Sequence, residues 1–110
     1  MSAAGVETIE AEAVLWRWSG VSTAGAWYFL TIEGEAADAI RVAALTGQWI
    51  DRGKGGFGSA KVTATIGETG WRTSVFPHKA SGGWLLPVKK AVRQAEGLNE
   101  GDRVRVRLTL

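Results

Sequence analysis

The sequence predicts a mainly β fold, a small closed or split β-barrel of about six or seven strands with two short helices. Glycine supplies 15 of the 110 residues, nearly double the usual share of about 7%, which requires many tight turns and hence many short elements. Two segments alternate between apolar and polar residues: Val104, Val106, Leu108 and Leu110 against Arg103, Arg105, Arg107 and Thr109, and Ala60, Val62, Ala64 and Ile66 against Ser59, Lys61, Thr63 and Thr65. A period of two is that of a half-buried strand. Helical signals are confined to two short stretches.

Residues 1–9 are expected to be a flexible N-terminus and residues 10–110 a single β-barrel domain, because a chain of this length supports one core. Glu10 to Trp18 and Trp27 to Ile32 are rich in Val, Leu, Trp, Tyr and Phe, and the small residues from Ser19 to Gly25 between them predict a hairpin. Between Glu35 and Thr46, Ala36, Ala39 or Ile40, and Ala43 follow helical spacing, with Gly47 as a stop. Gly67-Glu68-Thr69-Gly70 reads as a turn leading from the strand that ends at Ile66 into Trp71 to Phe76. Pro77 should end that strand, because it cannot donate to a ladder. A second helix is expected from about Val88 to Glu96: Pro87 suits its first turn, Val88, Val92 and Ala95 share a face, and Gly97 can take the left-handed cap. The first and last strands should pair antiparallel, because Glu10 and Glu12 would then face Arg103, Arg105 and Arg107.

Composition narrows the chemistry. Folding at this length buries about 65% of the unfolded chain's surface, enough for a core without staples. The chain has no cysteine, which excludes thiol nucleophiles, cysteine zinc sites and iron–sulfur clusters, and no metal or covalently held cofactor is expected. The first thirty residues carry Glu7, Glu10 and Glu12 without a basic start and apolar run, so no signal peptide is expected and a cytoplasmic location is. No apolar stretch approaches the ~18 to 20 residues of a membrane span. The six tryptophans are expected in the core, since an indole contributes chiefly through its apolar area, with a lined cleft as the alternative. The net charge of +2 conceals an asymmetry, because residues 1–50 hold six acids against Arg17 and Arg41 while residues 51–110 hold eleven bases against five acids. A basic half suits an anionic partner, although acidic and basic segments packed side by side within one small domain are the favoured account.

Gly53-Lys54-Gly55-Gly56-Phe57-Gly58 matches G-x-G-x-x-G by letter, yet that fingerprint needs a helix after its last glycine and Ser59 opens a strand. The Walker A form fails too, since five residues separate Gly47 from Gly53 and Lys54 is followed by Gly55. A glycine-rich turn is the expectation. His78 is the single histidine, no G-x-S-x-G elbow surrounds any serine, and Glu33/Glu35 and Glu100/Asp102 fit turns and helix starts, so no enzyme is expected.

The stretch from Phe76-Pro77-His78-Lys79 through Ser81-Gly82-Gly83-Trp84-Leu85-Leu86-Pro87 to Arg93, taken with Gly56-Phe57-Gly58-Ser59 and Ile66-Gly67-Glu68-Thr69-Gly70-Trp71-Arg72-Thr73-Ser74, resembles a family of small bacterial proteins known as domain of unknown function 1905. The resemblance covers about residues 10–110 and implies a small β-barrel. It implies no activity and no catalytic residue, because none is established for the family. Ile32-Glu33-Gly34-Glu35 departs from the commoner Leu-Pro-Gly-Glu, and Gln48 to Arg52, with Trp49, looks like an added segment. Leu86-Pro87 through Arg93, Gly97-Leu98, Glu100-Gly101-Asp102 and Val104-Arg105-Val106 are similar to the helix, Gly-Asp turn and strand of AbrB-type DNA-binding swapped-hairpin proteins. Shared barrel geometry alone also produces that order.

These readings lead to a noncatalytic binding module for a small polar or anionic ligand. The expected site is the Pro77–Trp84 loop: His78, Lys79 and Ser81 offer donors, Gly82 and Gly83 allow close backbone approach, Trp84 offers an apolar wall and Arg72 reaches the same mouth. The start of the second helix near Val88 would add positive dipole character. A polar crossover loop with Trp84 in the core is the competing account. The alternative functions are nucleic-acid binding through Lys89, Lys90, Arg93, Arg103, Arg105 and Arg107, and a structural or protein-interaction module. No membrane partner is expected, and the chain is compatible with a monomer or a homodimer.

Overall fold

The computed structural model describes residues 8–18, 27–46 and 59–109. Within the first eleven of them, one alternation of burial runs from Thr8 to Leu15. Ile9 and Leu15 are buried and Ala11 and Ala13 half-buried, whereas Glu10, Glu12 and Val14 are exposed. The hydrogen-bonding partner changes midway. β1 (Thr8–Val14) pairs antiparallel with β7 (Arg103–Thr109), and β2 (Trp16–Trp18) pairs antiparallel with β3 (Trp27–Ile32). Between them the Leu15 N–H donates to the Asp102 carbonyl at 2.9 Å, and the Leu15 carbonyl accepts from the Gly101 N–H at 2.8 Å. The bend therefore leaves no buried peptide group orphaned.

The remaining strands are β4 (Ala60–Ile66), β5 (Thr69–His78) and β6 (Gly83–Pro87), and the order across the seven-stranded sheet is β1-β7-β4-β5-β6-β3-β2. Its two edges are consecutive in the chain, with Leu15 alone between them, so the sheet curls into a half-barrel. A second bend lies in β5, which pairs with β4 through Val75 and with β6 from Phe76 onward. The first and last strands are neighbours as the charge pattern predicts, in the register Glu10↔Arg107 and Glu12↔Arg105.

Helix α1 (Gly34–Thr46) buries Ala36, Ala37, Ile40 and Ala43 against the sheet's inner face. Helix α2 (Lys90–Glu96) buries Val92 and ends at Gly97, whose φ of 66° is the left-handed cap expected of it. The core gathers Leu30, Ile32, Val75, Leu86, Val106 and Leu108, all fully buried. No helix among the described residues is long and apolar enough to cross a membrane.

Local expectations differ from the structure in four places. The first strand begins at Thr8 and not at Glu10, because Ile9 finds a place in the core and Thr8 pairs with Thr109. Pro77 does not end β5. On the β4 side, Ala60 at the start of that strand already stands opposite Val75, so no ladder partner needs an N–H from Pro77. The Trp84-Leu85-Leu86-Pro87 run is a strand rather than loop and helix start, pairing with Ile32 to Phe29. In consequence α2 starts at Lys90, two residues after Val88, whose N–H is held by the Tyr28 carbonyl at 2.9 Å. The expected 19–25 loop, Trp49, the Gly53–Gly58 run and the N-terminus before Thr8 lie outside the described residues.

Candidate functional site

The hairpin between β5 and β6 spends its polar groups on itself. The Gly82 N–H donates to the His78 carbonyl at 2.9 Å with φ at 76°, a backbone conformation glycine adopts without steric penalty. His78 Nδ1 and Ser81 Oγ share a hydrogen bond at 2.8 Å, and the Gly83 N–H donates to the same hydroxyl at 3.1 Å. Arg41 Nη2 donates to the Gly82 carbonyl at 3.0 Å, tying the turn to α1. Trp84 is buried on the inner face, 5% exposed, and its indole N–H donates to the Ala37 carbonyl at 3.2 Å. His78, Ser81, Gly82 and Gly83 are thus brought together as one turn beside the exposed Lys79, while Trp84 belongs to the core and does not wall the loop. Arg72 also lies elsewhere, in the groove beyond the split described next. Helix α2, at seven residues, begins at Lys90 and directs no N-terminus at this turn.

Two grooves open on the other side of β6. Directly opposed residues in a sheet share a face, so the registers Trp16↔Phe29, Trp18↔Trp27, Phe29↔Pro87 and Phe76↔Leu85 place these side chains together on the outer surface. With His78 they line an open trough of about 490 Å³. Trp27 is 54% exposed, Trp18 46% and Phe76 43%. The Trp16 indole N–H donates to Thr31 Oγ1 at 2.8 Å, which fixes that ring at 5.3 Å from Phe29. Trp27 lies nearly parallel to Phe29, at 10° and 6.1 Å. The buried face of β3 is carried instead by Leu30 and Ile32, which are out of phase with Trp27 and Phe29.

The second groove, about 470 Å³, lies where the sheet splits. β5 and β6 pair only between Phe76–His78 and Gly83–Leu85, and toward Trp71 β5 follows β4 instead. Arg72 from β5, Lys89 and Lys90 from the junction with α2, and Arg93 from α2 line the opening, together with Tyr28, Trp71 and Thr73. Arg93 is held in place, its guanidinium 3.8 Å above the Tyr28 ring and its Nε donating to the Val88 carbonyl at 3.2 Å. Among the described residues no lining residue is acidic, and the ion pairs involve none of these four cations. Trp27 and Pro87 line both grooves, so trough and basic opening form one continuous surface.

A model of the family described as domain of unknown function DUF1905 matches residues 12–108, from within β1 to within β7. The chain belongs to that family. No curated protein matches it. The family description names no ligand, so the site of this DUF1905 domain rests on its geometry.

That geometry divides the cations of the nucleic-acid alternative into two groups. Lys89, Lys90 and Arg93 stand at the split, whereas Arg103, Arg105 and Arg107 line the outer face of β7, where Arg103 pairs with Glu12 at 3.9 Å and Arg107 with Glu10 at 3.5 Å. Of the trough's residues the sequence places only His78 at an expected site, and it gives the tryptophans a lined cleft only as the alternative to the core. The trough's signal was in the sequence: Trp16/Trp18 and Trp27/Phe29 repeat at the two-residue period that puts side chains on one face.

Proposed function

We propose that this DUF1905 domain is a noncatalytic, cytoplasmic binding module whose ligand carries an anionic group seated among Arg72, Lys89, Lys90 and Arg93. The observation that carries this reading is that four cations, from β5 and from the start of α2, line one groove with no carboxylate among its described lining residues. Elsewhere on the surface, Arg41, Arg103 and Arg107 each face an acid. Cations grouped without countercharge raise the local concentration of an anion, and Arg93, fixed over Tyr28, meets it without having to be ordered first.

Thermal unfolding with pyrophosphate and with thymidine monophosphate tests the reading. Each should raise the midpoint of the natural protein by mass action. The rise should disappear in the Lys89→Ala/Lys90→Ala double variant and shrink in Arg72→Ala. No rise with either probe, or a rise that survives the double variant, refutes it.

A further inference from the structure

We infer that the anionic ligand is a single strand of nucleic acid, its bases laid on the aromatic trough and its phosphates led into the basic groove; this rests on the anion-binding reading above and extends it to the second groove. The trough is a sheet face turned away from the core, so folding does not require aromatic side chains there. Trp18, Trp27 and Phe76 nevertheless stand there between 43% and 54% exposed on three different strands. A contiguous exposed apolar face rimmed by polar groups marks a binding surface. Its rings are already arranged: Trp27 lies 10° from parallel with Phe29, and Trp16 is anchored through its N–H, so little ordering remains for binding to accomplish.

Two features select the occupant. The trough meets the cations at Trp27 and Pro87, which calls for a ligand with flat apolar rings and anions in close succession. Unpaired nucleotides supply both, and stacking on aromatic side chains accepts every base. In a duplex those base faces are stacked on one another and out of reach, so a single strand is selected. A second copy of this chain fits poorly, because twofold pairing of the trough would bring two sets of Arg72, Lys89 and Lys90 to the rim of one interface.

Fluorescence anisotropy decides between these outcomes, with a labelled single-stranded DNA of about ten nucleotides, within the site size of one small barrel, and the duplex of the same sequence. The single strand should bind more tightly than the duplex, quench tryptophan emission and weaken steeply with added salt. Trp18→Ala, which alters the trough and not the basic groove, should lower its affinity on the order of tenfold while leaving the pyrophosphate-induced rise in midpoint unchanged, and Lys89→Ala/Lys90→Ala should abolish both. Equal affinity for duplex and single strand, or no loss in Trp18→Ala, overturns the inference while the anion-binding reading stands. Failure of pyrophosphate, mononucleotide and oligonucleotide alike overturns both. Sedimentation showing a dimer that Trp27→Ala converts to monomer would assign the trough to self-association and likewise overturn the inference.

Discussion

The outer surface of the half-barrel is two surfaces, and both stand over the same core. Over β1 and β7 it is a charged ladder in which Glu10 and Glu12 face Arg107 and Arg105, with Arg103 beside them. Over β2, β3, β6 and the end of β5 it is indole, phenyl and aliphatic surface beside four cations that have no ion pair among the described residues. The inner residues beneath are alike: Val104, Val106 and Leu108 under the ladder, Leu30, Ile32 and Leu86 under the trough. The core is satisfied by either outer composition. What faces inward is held by packing on both halves, whereas what faces water differs between them.

Substitutions can break this comparison, beginning with the inner side. Trp84→Ala should destabilise the domain by about 3–5 kcal/mol, the usual loss for a buried Trp, and it also removes the hydrogen bond from the indole N–H to the Ala37 carbonyl; urea denaturation measures it. A loss as small as that of an outer tryptophan would mean the two faces are not distinguished by burial. Gly83→Ala comes next. A Cβ there would meet the Ile32 carbonyl oxygen, a backbone atom of the neighbouring β3, so a loss of about 1–3 kcal/mol is expected from overpacking, together with a changed near-ultraviolet signal from the displaced outer aromatics.

The charged face should respond weakly. A double-mutant cycle on Glu10→Ala and Arg107→Ala should give a coupling of about 0.2–1 kcal/mol that fades with salt, because both side chains are 58% exposed. A coupling of several kcal/mol would make the ladder a structural requirement and not merely a solvated surface. Smallest of all, Trp27→Ala should leave stability within about 0.5 kcal/mol of the natural protein, as exposed positions outside special features do. A larger loss would return Trp27 to the fold and take it from the ligand.

Reading by period alone recovers the parts of the molecule where one face is buried and the other wet. β4 and β7 are legible residue by residue, and the hairpin joining β4 to β5 turns at Gly67 with φ at 60°, as its sequence demands. The pairing of β1 with β7 followed from opposed charges. β6 was illegible because Trp84-Leu85-Leu86-Pro87 is apolar on both faces: Trp84 and Leu86 fill the core while Leu85 and Pro87 floor the trough. The trough escaped for the same reason. Trp-Arg-Trp over residues 16–18 invites the indoles inward, yet the phase set by Ile9 and Leu15 carries them outward and leaves Arg17 at the barrel's edge.

What the sequence by itself determined is everything that acts over a few residues or through strong alternation: the turns, the left-handed cap at Gly97, the two helices and the mainly β class. Which of two apolar faces turns inward, and which cations become neighbours, was decided only when β5 exchanged β4 for β6 and the chain bent at Leu15. Arg72 and Lys89 stand far apart in the chain and line one groove because the sheet splits there. A period of two specifies that faces differ and never which one is the core, since that depends on strands contributed from elsewhere in the chain.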